Sequence, residues 1–208
     1  VRPGRDCGIQ PRRYIPTENK SMPDSTHQTA QRIVDERVSA LLDLQRTLGL
    51  RFKESCLLNA KLALREARKH GRVTLRAGTK GGKRRTVPCR PVAITALERA
   101  AAIQDGKSMV PNGQYYFKFR RECYEQARLA GIGFHSERHQ FANDRYTEIT
   151  GAPAPVNAGW SRRERLANLS EFLNISEDEA RVIDREARLK ISIELGHNRI
   201  GISNAYLG

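Results

Sequence analysis

Val73-Thr74-Leu75-Arg76-Ala77-Gly78-Thr79-Lys80-Gly81-Gly82-Lys83-Arg84-Arg85-Thr86-Val87-Pro88-Cys89 decides how the chain is read. Two short segments of strand-forming residues, Val73-Thr74-Leu75 and Thr86-Val87-Pro88-Cys89, flank the turn-forming run Gly78–Lys83. A glycine-rich turn between two such runs predicts a β-hairpin. Its tip is cationic, and a hairpin tip reaches a groove or a phosphate more selectively than a helix face does.

On both sides of the hairpin the pattern is helical. Asp24-Ser25 offers a cap before one helix carrying Ile33, Val34, Val38, Leu41 and Leu42 at helical spacing. Gly49 interrupts it, and a second helical stretch is expected from about Arg51 to Leu58. Downstream, helices are predicted over 92–104, 114–129 and 135–147, the last stopped by Gly151-Ala152-Pro153-Ala154-Pro155. A further one is expected over 161–169. Ser176-Glu177-Asp178-Glu179 forms a capping box opening a long helix to about Leu195. The expected fold is therefore mainly α (α+β), a helical domain with one small antiparallel β-hairpin. Residues 1–24, rich in Pro, Gly and polar side chains, are expected to form an arm or irregular lead-in to a domain over 25–208.

The 208 residues carry 37 Lys and Arg against 23 Asp and Glu, a formal charge of +14. Such a balance in a chain of ordinary hydrophobic content points to a folded domain with a polyanionic partner. No apolar run approaches the roughly 18 residues of a membrane span, and no secretory signal heads the chain. Cys7, Cys56, Cys89 and Cys123 are scattered without a CxxC pair, so neither disulfides nor zinc are expected. This usage suits a bacterial cytoplasm. The charge is also concentrated: residues 61–90 hold eleven cations against the single acid Glu66, whereas 161–190 hold seven of each sign.

Three further stretches carry chemistry. Leu48-Gly49-Leu50-Arg51-Phe52-Lys53-Glu54 sets an Arg and an acid at i, i+3, expected on one helical face. Phe134-His135-Ser136-Glu137-Arg138-His139 repeats that spacing with His and Arg at a helix start. Leu195-Gly196-His197 is followed nine residues after its His by Tyr206. Each alone reads as an ion pair or as packing. In this order, with a basic hairpin between the first and second, they resemble the catalytic domain of the tyrosine recombinases, the phage-type integrases. That family carries GLRxxE, a hairpin Lys, HxxRH, and LGH ahead of a Tyr.

The resemblance spans residues 48–206 and implies a catalytic set of Arg51, Glu54, Lys80, His135, Arg138, His197 and Tyr206, with Lys83 as the alternative to Lys80. It implies a helical tyrosine-recombinase fold and a site-specific exchange of duplex DNA through a covalent 3′-phosphotyrosyl link. It also implies a homo-oligomer on DNA, a tetramer, aided by accessory DNA-bending or directionality factors. Lys80, Lys83, Arg84 and Arg85 are the expected DNA contacts. The residue types suit the reaction: two Arg can each grip phosphate oxygens through paired N–H groups, and His197 adds a third donor. A phenol ionises near pH ~10, so neutral attack by Tyr206 needs a base, for which His135 is the candidate. Lys80 would protonate the departing sugar oxygen, and Glu54 would orient its neighbours. No acidic cluster for Mg²⁺ and no Walker loop appear, so no metal or cofactor is expected.

Two departures stand out. Fifty-eight residues separate Arg138 from His197, which implies a subgroup with an insertion at about 150–185. Its balanced charge favours packing or protein contact over DNA. The family's N-terminal core-binding domain and the helix that often follows the Tyr have no counterpart here, so the chain reads as a catalytic fragment. A type IB topoisomerase, sharing the residue set, is the nearest alternative activity; a non-catalytic DNA-binding module is the alternative of a different class. A generic basic RNA-binding protein gives no reason for the seven-residue order.

Overall fold

The computed structural model describes residues 18–197 and 199–208. Most of the expected arm, and Cys7 with it, lies outside them. The elements run α1 (Asp24–Ile33), α2 (Glu36–Leu48), α3 (Phe52–Leu57), α4 (Ala60–His70), β1 (Arg72–Leu75), β2 (Arg85–Pro88), α5 (Pro91–Ile103), α6 (Tyr116–Leu129), α7 (Phe134–Thr150), α8 (Pro155–Ala158), α9 (Arg165–Leu173), α10 (Glu177–Glu194) and α11 (Asn204–Leu207), with 3₁₀ turns at Lys80–Gly82 and Ile200–Ile202. The fold is mainly helical with one two-stranded antiparallel sheet, in which Val73 faces Val87 and Thr74 faces Thr86.

The core is built around α2, whose Val38, Leu41, Leu42, Leu44 and Leu48 are fully enclosed. It packs against α5 and α7, while α4 packs between α5 and β1. Burial on nearly every face suits a helix at the centre of a bundle. The expected single helix over 24–48 is two. Asp35 accepts from the Val38 N–H, capping α2, and its own backbone N–H donates to Gln126. That cap ends α1 at Ile33 and leaves Ile33 itself exposed. Helix α4 is not among the expected helices, because its buried positions Ala63 and Ala67 are small and set among four Lys and Arg.

Downstream, the expected helices form with ends displaced by a few residues. The capping box is present as expected: the Ser176 hydroxyl accepts from the Glu179 N–H, and the Glu179 carboxylate accepts from the Ser176 N–H. The segment between Arg138 and His197 has a small core of its own, formed by Ala152, Leu169 and Ala180. Trp160 packs onto it and meets Phe172 edge-on at 6.1 Å. Residues 18–23 lie against the bundle: Met22 is buried and its N–H donates to the Ser136 carbonyl at the start of α7.

Candidate active site

Arg51 is not on a helix face; it is the extended residue that precedes α3 (φ −72°, ψ 153°). Glu54, in the first turn of α3, folds back to accept from the Arg51 N–H at 2.7 Å and from its guanidinium at 2.8 Å. The spacing therefore works as a helix-start closure rather than a surface ion pair. The Glu54 carboxylate is buried and takes a second cation, the Arg85 Nη2 at 2.6 Å. Burial alone would raise its pKa, but bonding to Arg85 and the charges of Arg85 and Arg51 hold it below the usual carboxylate range.

Arg85 departs from expectation. Placed among the DNA contacts by sequence, it points inward from β2, 8% exposed, and donates to Glu54 and to the carbonyls of Gly49 and Glu194. Strand alternation explains this: Val87 and Arg85 face the core, while Arg84 and Thr86 face out. Lys80, Lys83 and Arg84 are exposed, and with Arg51 and Gly196 they line one open cleft of about 270 Å³.

Arg138 lies in the second turn of α7, wholly enclosed. Its Nη atoms donate to the carbonyls of Gly49 and Leu195, and its Nε donates to the Tyr206 hydroxyl at 3.1 Å. Arg51 reaches the same Leu195 carbonyl at 3.2 Å. The C-terminal end of α10, where carbonyls lack helical partners, thus gathers Arg51, Arg85 and Arg138 on successive residues Glu194 and Leu195. Each Nη of Arg51 and Arg138 keeps a second N–H, so these bonds aim the two guanidinium groups without exhausting their donors. Burial pushes Arg138 down to about 10, and it remains a cation at neutral pH.

Two glycines make this packing possible. Gly49, at φ +60°, has no room for a side chain: a Cβ would sit 2.5 Å from the Phe141 ring. Gly196, at φ +73°, would place a Cβ 2.6 Å from Arg85 Cδ. Both the LGL and the LGH glycines therefore admit an arginine-bearing layer at close approach.

Tyr206, on α11, is 6% exposed and ringed by histidines, with centroid distances of 4.8 Å to His139, 5.9 Å to His135 and 6.5 Å to His197. Burial, then Arg138, Arg51, Arg85 and Lys80, push His197 down to about 4. Burial and the charges of Arg138 and Arg51 lower His135 as well, although the residue is exposed. Burial, His135, Lys20 and Arg138 lower His139 to about 4. All three imidazoles are neutral at pH 7. His139, which is not among the expected catalytic residues, lies nearest of the three to the Tyr206 ring; its adjacency to Arg138 is the one sequence signal for this.

The structure thus brings Arg51, Glu54, Arg138, His197, Tyr206 and His135 into one site, with Lys80 on the cleft that Arg51 shares. Among the described residues no cluster of His, Cys, Asp or Glu could hold a metal, and no helix is long and apolar enough to cross a membrane. A comparison with curated proteins finds no match. A family model described as Integrase matches residues 13–144, a span holding Arg51, Glu54, Lys80, His135 and Arg138. With that match over more than half its length, the chain belongs to the integrase family, the phage-type tyrosine recombinases, and is a DNA recombinase whose partner is DNA.

Proposed function

We propose that the chain cleaves and rejoins duplex DNA at a specific site through a covalent link between Tyr206 and a 3′-phosphate. The observation carrying this reading is the Arg138 Nε–Tyr206 hydroxyl bond of 3.1 Å inside a ring of neutral histidines. Arg138 stabilises negative charge as it develops on the phenol oxygen, and a neutral His135 accepts the phenol proton. The Tyr206 oxygen attacks phosphorus, the bond from phosphorus to the 5′ oxygen breaks, and Lys80 protonates that oxygen to leave a 5′-hydroxyl. Arg51, Arg138 and His197 offset charge on the non-bridging oxygens. Bond energy is kept in the phosphotyrosyl ester, so rejoining by the incoming 5′-hydroxyl needs no cofactor and no metal.

Glu54 holds Arg51 and Arg85 in place rather than moving protons. Lys80, Lys83 and Arg84 hold the DNA backbone beside the cleft, and strand exchange takes place in a homo-oligomer, a tetramer, aided by accessory DNA-bending factors. Arg138 and Tyr206 cover one another, so the phosphate enters from the Arg51 side and the phenol ring turns aside as it does. Incubation with a nicked suicide duplex tests this: a protein–DNA adduct resistant to denaturant is expected from the native chain and none from Tyr206→Phe, with binding retained. An adduct from the Phe variant overturns the assignment. Efficient relaxation of plasmids lacking any specific site would favour the topoisomerase reading instead.

A further inference from the structure

The segment between Arg138 and His197 reaches the nucleophile's backbone through a buried ion pair. Asp184, on α10, accepts from Arg188 Nε at 2.8 and 3.0 Å, from the Tyr146 hydroxyl of α7 at 2.8 Å, and from Arg165 of α9 at 3.4 Å. Both members are enclosed, with side chains 5% and 4% exposed. Held this way, Arg188 turns its Nη1 to the C-terminal segment, donating to Asn204 Oδ1 at 2.9 Å and to the Gly208 carbonyl at 3.0 Å. Those two residues bracket Tyr206. The short helix α8, also from the intervening segment, packs against α11 from another side. Leu207, fully buried, completes the anchorage.

We infer that Arg188, fixed by Asp184, is a positioning residue that holds the Tyr206 helix in its own active site, so that the nucleophile acts in cis. The inference rests on the functional reading above and extends it to the role of the intervening segment. A charged donor bonding both ends of a four-residue helix fixes its backbone while leaving the phenol ring free to turn. Misplacing a reacting group by about 1 Å costs on the order of a hundredfold in rate.

Adduct formation on the nicked suicide duplex is compared for the native chain, Arg188→Ala, Arg188→Lys and Asn204→Ala. Asn204→Ala removes one end of the anchor without uncovering the buried Asp184, so it reports even if Arg188→Ala folds poorly. The expected result is a loss of about tenfold or more for Arg188→Ala and a smaller loss for Asn204→Ala. Arg188→Lys should recover part of the rate, and duplex binding should stay within about twofold.

A second readout separates positioning from damage to the cation pocket. In a Tyr206→Phe background, hydrogen peroxide serves as a small nucleophile that needs the pocket but no anchored helix. Peroxide-driven cleavage should be unchanged by adding Arg188→Ala; an equal fall in both readouts overturns the inference, as does native adduct formation by Asn204→Ala and Arg188→Ala together. A mixture of Tyr206→Phe with Arg51→Ala should form no adduct, and an adduct there shows action in trans and overturns it too. Failure of the native chain itself to form an adduct would instead overturn the functional reading.

Discussion

Glu54 is the residue on which the site's geometry turns. One buried carboxylate closes the start of α3, steadies Arg51 and neutralises Arg85. Glu54→Gln would leave Arg85 buried without a counter-charge, a defect that costs about 3–5 kcal/mol. Urea unfolding should show that loss, together with weakened adduct formation, whereas Glu54→Asp should do less harm. Lys80 is exposed on the hairpin turn and its side chain makes no hydrogen bond or ion pair among the described residues, so Lys80→Ala should slow cleavage without lowering stability. A duplex whose scissile 5′ oxygen is replaced by sulfur, a leaving group needing no proton, should restore the rate; no restoration would remove Lys80 from the role of acid. The depressed pKa values of His135 and His197 set the pH response. A group that must be neutral and whose pKa lies below 6.5 limits the reaction only under acid. Adduct formation at limiting protein should therefore fall with a midpoint below pH 6.5 and stay flat from there to 8. A midpoint at or above 7 would contradict the neutral-imidazole site.

At the level of elements, the sheet and the end of α10 together do what neither does alone. The hairpin sends Arg85 inward to the Glu194 carbonyl and presents Lys80, Lys83 and Arg84 outward. Gly196 sits where that inward arginine passes, so Gly196→Ala combines a left-handed backbone with a clash and should cost about 1–3 kcal/mol and most of the activity. This coupling also explains what the sequence made legible. The hairpin, the turn at Gly151 and the capping box at Ser176 each rest on local chemistry, and each formed where local chemistry put it. The break at Val34-Asp35 joins the local Asp35 cap to a bond with Gln126, ninety-one residues away, and the inward turn of Arg85 depends on Glu54 and α10. Neither partner is visible from periodicity. Arg188 reads as one more charge on a charged helix until the fold returns Asn204 to it.

For the whole molecule, α1 is tied to the helix of the HxxR box. His27 bonds to Glu137 at 2.6 Å and to Asp43 at 3.2 Å, and Arg46 also reaches Glu137 at 2.6 Å. Burial pulls the His27 pKa down, but the bonds to Asp43 and Glu137 and the charge of Glu137 outweigh it and raise it to about 9. The folded state therefore holds the proton more tightly than the unfolded chain. The stability this gives is present in full below pH ~6.5 and is lost as pH rises through 9, up to about 3 kcal/mol. Urea midpoints should fall between pH 6 and 9.5, and His27→Gln should flatten that fall. The +14 charge acts at this scale too, through Lys83 and Arg84 at the mouth of the cleft. If both meet phosphates, the double change to Ala should make the plot of log affinity against log salt shallower by about 1.8. An unchanged slope would place the DNA elsewhere.

The catalytic expectations depend on which atom joins the DNA. After reaction with the nicked duplex, nuclease and trypsin digestion followed by mass spectrometry should find a 3′-phosphonucleotide on the peptide that begins at Ile200, with fragmentation placing it on Tyr206. The same label on any other tyrosine, such as Tyr115 or Tyr124, or no covalent label at all, would contradict the account.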